Sequence, residues 1–403
     1  MDFAIKNIVI ATVIFGTILV IIFENRNPVK TIAWCMVLTF MPVIGLLLYI
    51  LFGMDNRHRR QIKDEDLSRL KGITEITQSD DILSEMPVPQ KPLADMLRKM
   101  NKSFLLSGND VEIITDFQTM SDRLIADIEG ARHHINMLFF KFEDDAAGRR
   151  IADALIRKSE EGVLVRLIYD DAGNLMVPRR FYRKLRKHGI QVRGFIRIFL
   201  PILSRDYNSR NHRKVVVIDG RVGYMGGMNI AQRYAEGLKW GIWRDTHMRI
   251  TGPAVSELQT SFLTDWKFTK GDEPDLDPMY PYNPPCGNTL MQIVTGGPMD
   301  KWNAMMQAYM TAIVSARSYA YLQSPYFIPP EPIMKVLQNA ALSGVDVRVM
   351  IPYRGDKGVL PPWASRSYIK EALNAGIRMY LYRKGYMHAK TLVIDDSLVT
   401  IGS

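Results

Sequence analysis

Two stretches of this 403-residue chain carry the same reactive residue types at the same spacing. In NHRKVVVIDGRVGYMGGMN (211–229), His212 is followed by Lys214 and Asp219; in MHAKTLVIDDSLVTIGS (387–403), His388 is followed by Lys390 and Asp395. The second set lies 176 residues after the first, residue for residue, and a pair of small residues follows each, Gly226-Gly227 and Gly402-Ser403. Residues two apart on a strand share a face. Each copy therefore stands an imidazole beside an ammonium group, with a carboxylate where the β-prone run ends in a turn at Asp219-Gly220. Gly226 and Gly227 would let backbone approach a ligand closely, and Asn229 adds an amide. Gly227, Asn229 and Ser403 are accordingly expected to bind a substrate phosphate.

Such a pair of sets suits phosphodiester exchange through a covalent intermediate. That chemistry needs a nucleophile and, opposite it, an acid for the departing alkoxide. Two imidazoles can divide those roles, two lysines can hold the non-bridging oxygens without a metal, and the two aspartates would orient or stabilise the histidines. On the residues alone, His212 and His388 are interchangeable.

The elements around the motifs repeat as well. IEGARHHINMLFFKF, IADALIRKSEEG and VLVRLIYDD return as IVSARSYAYLQSPYF, IMKVLQNAALSG and VDVRVMIPY, in the order helix, strand, helix, strand. Strands alternating with helices predict an α/β fold with a mixed, largely parallel sheet in each half. The Pro-rich segment 270–288 is the natural connection, giving a first lobe over 111–270 and a second over 271–403.

Ahead of the lobes the composition changes. Residues 3–23 are almost wholly apolar and 31–52 carry no charge. The second run would span roughly 33 Å as a helix, enough for a bilayer core. A two-helix transmembrane hairpin over 1–55 is expected, with a juxtamembrane linker over 56–110. The basic run NRHRRQIK (56–63) predicts a multi-pass protein of the cell (cytoplasmic) membrane with its body facing the cytoplasm.

The duplicated His-x-Lys-x4-Asp motif, followed by small residues and Asn, resembles the phospholipase D superfamily. NPVKTIAWCMVLTFMPVIGLLLYILFG, WRDTHMRITGPAV, FLTDW and SPYFIPP narrow the likeness to its bacterial cardiolipin synthases. The resemblance spans essentially the whole chain. It implies two phospholipase D-like lobes related by a pseudo-twofold axis, with one active site between them. It also implies phosphatidyl transfer between two phosphatidylglycerols, or another phosphatidyl donor and phosphatidylglycerol, with release of a small alcohol. His212 would become the phosphohistidine, and His388 would act as acid and then base. The pattern of the first half places an Asn two residues past Ser403, and the family continues with further strands and a helix, so the second lobe is expected to be incomplete. Alternatives that use the same residues are a hydrolase, a nuclease, and an inactive membrane-bound relative.

Composition narrows the partners. A net charge of +10 favours an anionic one. The apolar amino-terminal runs favour membrane and anionic phospholipid over nucleic acid. RRFYRKLRK (179–187) either attracts acidic lipid, at about 1 kcal/mol per basic residue, or is a solvated helix face. Two distant cysteines, Cys35 and Cys286, suggest neither a disulfide framework nor a zinc cluster. No metal-ligand spacing, Walker loop or dinucleotide fingerprint occurs, so neither metal nor cofactor is expected. His247 is expected to be structural, and Tyr326 either lines the cleft or packs in the core.

Overall fold

A computed structural model describes residues 2–23, 28–54, 90–196, 210–297, 302–356, 358 and 360–403. The basic run 56–63, most of the expected linker and the apolar run from 197 to 205 lie outside these residues. The described residues divide into two compact units, one formed by residues 2–54 and the other by the rest.

In the first unit the helix Asp2–Phe23 is followed by Pro28–Phe40. The single helix expected over 31–52 is instead broken. Met41 leaves helical geometry (φ −133°, ψ 69°) just before Pro42, and the chain continues as the short helix Pro42–Leu48 and a π turn, Tyr49–Gly53. The cause is local, because proline disfavours helical backbone in the residue before it. Ile21, Leu38 and Tyr49 form a small buried cluster, with Trp34 edge-on to Tyr49 at 5.4 Å. Among the described residues no helix is long and apolar enough to cross a membrane.

The second unit contains both sheets. The first comprises β1 (Leu105–Ile114), β2 (His134–Phe139), β3 (Leu164–Tyr169), β4 (Gln191–Gly194), β5 (Lys214–Ile218), β6 (Val222–Gly226), β8 (His247–Thr251) and β9 (Thr289–Gln292), in the order β4-β3-β2-β5-β6-β8-β1-β9. A short strand between them in sequence, β7 (Ile242–Arg244), lies outside this sheet. The second sheet is β12-β11-β10-β14-β15, built from β10 (Tyr319–Gln323), β11 (Asp346–Pro352), β12 (Arg378–Tyr382), β14 (Thr391–Ile394) and β15 (Leu398–Ile401). Its order and strand directions repeat β4-β3-β2-β5-β6: the first three strands are parallel and the last two antiparallel. The sequence repeat is thus a repeat of sheet topology.

Helices cover both faces of the first sheet. Phe117–Gly130, Ala146–Glu160 and Arg179–Lys187 cover one face, and Val255–Phe268 packs Leu258, Phe262 and Trp266 on the other. Coverage on two sides is why β2 and β5 are buried along their whole length and read as continuous apolar runs. β11 instead alternates, with Val347, Val349 and Ile351 facing the helices of its own lobe.

The expected boundaries need correction. Residues 90–110 are not linker. Helix Lys91–Asn101 buries Leu93 and Leu97 with Ala312 and Ile313 of the second lobe, and β1 begins at Leu105. β9, from beyond the Pro-rich connection, pairs with β1 and so completes the first lobe's sheet. Each half lends an arm to the other because each arm carries apolar residues that its own half leaves uncovered.

Candidate active site

Both motif strands end in a two-residue turn of positive φ, Asp219-Gly220 (52°, 63°) and Asp395-Asp396 (49°, 54°), the geometry that closes tight hairpins. The aspartates do not face the histidines. Asp219 accepts the backbone N–H groups of Arg132, His133 and His134 at 2.8, 2.8 and 2.9 Å. Asp395 accepts those of Arg317, Ser318 and Tyr319 at 2.6, 2.8 and 2.8 Å. Partial burial pushes the Asp395 carboxyl up, but the three amides outweigh it and hold it below its ordinary value. Each aspartate thus staples its hairpin to the preceding helix-to-strand turn. In the structure this contact stands where an orienting contact to the imidazoles was expected.

His212 and Lys214 lie on one face at the start of β5, with Lys214 Nζ 2.9 Å from His212 Nδ1. Between them Arg213 points the other way, onto both oxygens of Asp265 (2.7 and 2.6 Å) and the carbonyl of Gly296 (3.0 Å). Asp170, at the end of β3, accepts the Asn211 N–H at 2.9 Å. The Phe140 ring lies 4.5 Å from the His212 ring.

The second set is brought in by the two-stranded ladder of β7 with β13 (Gly385–Met387), in which Met387 pairs with Arg244. A Cβ at Gly385 would sit 2.0 Å from the Ile242 carbonyl oxygen, so only glycine allows this approach. The His388 N–H then donates to the Arg244 carbonyl at 2.7 Å, and His388 Nδ1 lies 2.7 Å from Asp245 Oδ2. Lys390 Nζ is 3.0 Å from His388 Nδ1. The carboxylate serving the second-lobe histidine therefore comes from the first lobe.

Asp245 is wholly buried, and Gly227 makes room for it: a Cβ there would meet Asp245 Oδ1 at 2.0 Å. Gly227 thus admits the Asp245 carboxylate, and Gly226 the backbone at Thr246 and His247. Asn229 is likewise engaged, its Oδ1 accepting the Lys141 N–H at 3.1 Å and its Nδ2 donating to the Tyr234 hydroxyl at 2.8 Å. That hydroxyl lies 3.4 Å from His388 Nδ1. Ser403 donates from Oγ to the His212 carbonyl at 2.9 Å. Gly227, Asn229 and Ser403, the residues expected at the phosphate, thus stand around the two histidines.

The four basic groups share one buried environment. Burial, reinforced by Lys214, Lys390 and His388, holds His212 down to about 2. Burial and then Lys390 keep Lys214 well below the usual lysine range, against the pull of Asp245 and Asp170. Burial lowers Lys390 to about 8, opposed by Asp245 and Asp356. Burial also lowers His388, and Asp245 opposes it. Groups of both lobes act on one another directly, Lys390 and His388 on His212 and Lys390 on Lys214, so the two His–Lys sets share one electrostatic environment.

Two other expectations have an outcome. His247 is fully buried and pushed down to about 4 by burial, which keeps it neutral. Tyr326 donates to Asp356 at 2.8 Å, and Asp356 acts electrostatically on Lys390, so Tyr326 is tied to the second half-site. Among the described residues no group of three or more His, Cys, Asp or Glu side chains could hold a metal ion. Sequence reasoning missed Asp245, Tyr234 and Asp170. Asp245 stands two residues before His247, in a stretch read for its family likeness and for that histidine but not for its carboxylate.

A duplicated mixed α/β lobe, with a His–Lys set from each copy at one buried site, is the phospholipase D-like arrangement. In fold it is similar to the phosphatidylserine synthase of Haemophilus influenzae Rd KW20, with TM-score 0.55 and 15% identity over 76% of this chain and 80% of that one. The family model described as cardiolipin synthase, phospholipase D-like domain, matches residues 124–266 and 309–403, and one described as phospholipase D-nuclease N-terminal matches 12–53. The major cardiolipin synthase ClsA of Bacillus subtilis (strain 168) is 37% identical, covering 100% of this chain and 84% of the relative. A cardiolipin synthase of Listeria monocytogenes serotype 4a is 37% identical, covering 98% and 84%. The chain belongs to the cardiolipin synthase family of the phospholipase D superfamily.

Proposed function

We propose that the chain makes cardiolipin from two phosphatidylglycerol molecules, or from another phosphatidyl donor and phosphatidylglycerol, without a cofactor. The observation that carries this reading is the meeting of His212–Lys214 and His388–Lys390, one set from each lobe, at a single buried site. The neutral imidazole of His212 attacks phosphorus, forming a P–N bond as the P–O bond to the first glycerol breaks. His388, with Asp245 opposite its Nδ1 to stabilise the imidazolium, gives its proton to that departing alkoxide. The glycerol hydroxyl of a second phosphatidylglycerol then returns a proton to His388 and attacks phosphorus, and the P–N bond breaks. Lys214 and Lys390 hold the non-bridging oxygens throughout. His212, Lys214, His388 and Lys390 are thus the catalytic residues of this reading, and Asp245 positions one of them.

The same reading makes residues 2–54 a membrane anchor, a transmembrane hairpin in the cell membrane with the body on the cytoplasmic side. Its support is the outward-facing apolar surface of the helical segment, where Phe15, Phe40 and Val43 are 64%, 81% and 66% exposed. Large apolar side chains exposed together along one segment mark a surface that meets an apolar partner.

Incubating the full-length protein in detergent with labelled phosphatidylglycerol tests the function. Cardiolipin plus free glycerol is expected. Phosphatidic acid as the sole product would mark a hydrolase, and no product would mark an inactive relative. A parallel oligonucleotide digest tests for a nuclease.

A pH dependence follows from Lys390. It must be charged to hold phosphate, and burial places its titration near 8. We expect kcat/KM to fall as pH rises through about 8, and Lys390→Arg to move that limb upward, because a guanidinium stays protonated. Stability should move the other way. Between pH 8 and the ordinary lysine value of 10.5, the unfolded chain binds a proton that the folded chain does not, so this group makes stability rise with pH. A pH–rate profile flat to pH 10 would contradict the assignment.

A further inference from the structure

We infer that two lips, one on each lobe, dock the catalytic cleft onto the surface of an acidic lipid bilayer. This rests on the proposed phosphatidyl transfer and adds the surface that serves it. The first lip follows β3. Gly173 lies against Phe140, where a Cβ would meet the Phe140 carbonyl oxygen at 2.3 Å, and Asn174 donates to that carbonyl at 2.8 Å. Phe140 in turn faces His212, so the turn is part of the wall of the first half-site. Directly after it, Leu175 and Met176 project into solvent, 48% and 94% exposed.

Helix Arg179–Lys187 begins three residues past Met176. It buries Phe181, Tyr182 and Leu185 and leaves Arg179, Arg180 and Arg183 exposed, none of them with a carboxylate partner among the described residues. Lys184, by contrast, is paired with Asp153. The basic stretch is thus neither a uniformly solvated face nor an internally neutralised one.

The second lip occupies the corresponding place after β11. Leu360 and Trp363 are 72% and 60% exposed, and Arg354 lies over the Tyr353 ring at 6.0 Å. Asp356, on the same loop, is held by Tyr326 and acts on Lys390, which ties this lip to the second half-site. Each half-site therefore carries one apolar tip beside arginine that has no carboxylate partner among the described residues. An acidic bilayer satisfies both parts together: acyl chains receive Met176, Leu175, Leu360 and Trp363, and lipid phosphates receive the guanidinium groups. An uncharged apolar partner would leave the arginines uncompensated.

The test uses the full chain reconstituted in phosphatidylcholine vesicles with chain-brominated lipid as a fluorescence quencher. Met176→Trp and, as control, Leu342→Trp are each compared with the unsubstituted protein. Leu342 is 72% exposed at the end of a second-lobe helix that leads into β11, away from its lip. The added signal of Met176→Trp should be quenched, more strongly when phosphatidic acid is included, and that of Leu342→Trp should not. Arg179→Gln with Arg180→Gln should weaken the phosphatidic acid dependence about ten-fold or more. An unquenched Trp at 176, equal quenching at 342, or a signal that follows protein concentration in lipid-free detergent (self-association) would overturn the inference. Quenching without any transfer activity would leave the docking standing and remove the proposed reaction; transfer without quenching would do the reverse.

Discussion

Asp245→Asn is expected to lower kcat about a thousand-fold while leaving the protein folded. The carboxylate is wholly buried and faces His388 Nδ1 at 2.7 Å, and its other oxygen accepts the Thr246 N–H at 2.8 Å. Asparagine keeps the shape and can keep the bond to Thr246, but it removes the charge that stabilises a protonated His388. Loss of the carboxylate behind a catalytic histidine costs up to about ten-thousand-fold in triad enzymes. The effect should depend on the leaving group. A phosphatidyl ester of nitrophenol departs without a proton, so its first step should be slowed far less than that of phosphatidylglycerol. Equal losses for both substrates, or a loss explained by a lowered melting temperature, would contradict a proton-transfer role for the Asp245–His388 pair.

The second large effect is expected on stability instead. Asp219→Ala removes an ionic acceptor from three backbone N–H groups, and Asp395→Ala does the same in the second lobe. Hydrogen bonds to a charged group contribute about 1.5–3 kcal/mol each, and those at the solvent edge less. A loss of about 3 kcal/mol per variant in denaturant titration is expected, with kcat within about ten-fold where the protein remains folded. The two motif aspartates would thus be separated from Asp245, which positions His388, by what their loss damages. A kcat collapse at unchanged stability would restore the role first expected for Asp219 and Asp395.

The difference between those two predictions marks how far the sequence reached. The repeated His, Lys and Asp could be read because the duplication made a chance match implausible, and the mixed α/β class followed from the repeated helix-strand pattern. The strand order did not, and the expected largely parallel pairing holds only for β2-β3-β4 and β10-β11-β12. Which way Asp219 points could not be read: a turn aspartate can cap backbone or hold an imidazole, and only the positive φ at the hairpin tip turns it toward residues 132–134. Asp245 was hidden because its partner lies 143 residues away, across a ladder between lobes that no local periodicity reports. Gly227 carried the right signal, close approach, with the wrong visitor. The arms exchanged by helix Lys91–Asn101 and by β9 are long-range pairings of the same kind. The helix break at Met41 was foreshadowed by Pro42, but an apolar run measured by length alone conceals it.

The most direct measurement is to quench the full-length protein with acid-free denaturant during turnover of phosphatidylglycerol labelled at phosphorus, then map the label by peptide mass spectrometry. The label should sit on the peptide containing His212, be released by mild acid, and vanish with His212→Ala together with cardiolipin formation. Label on His388, or cardiolipin made at an undiminished rate by His212→Ala, would contradict a shared site in which one lobe supplies the nucleophile and the other the proton.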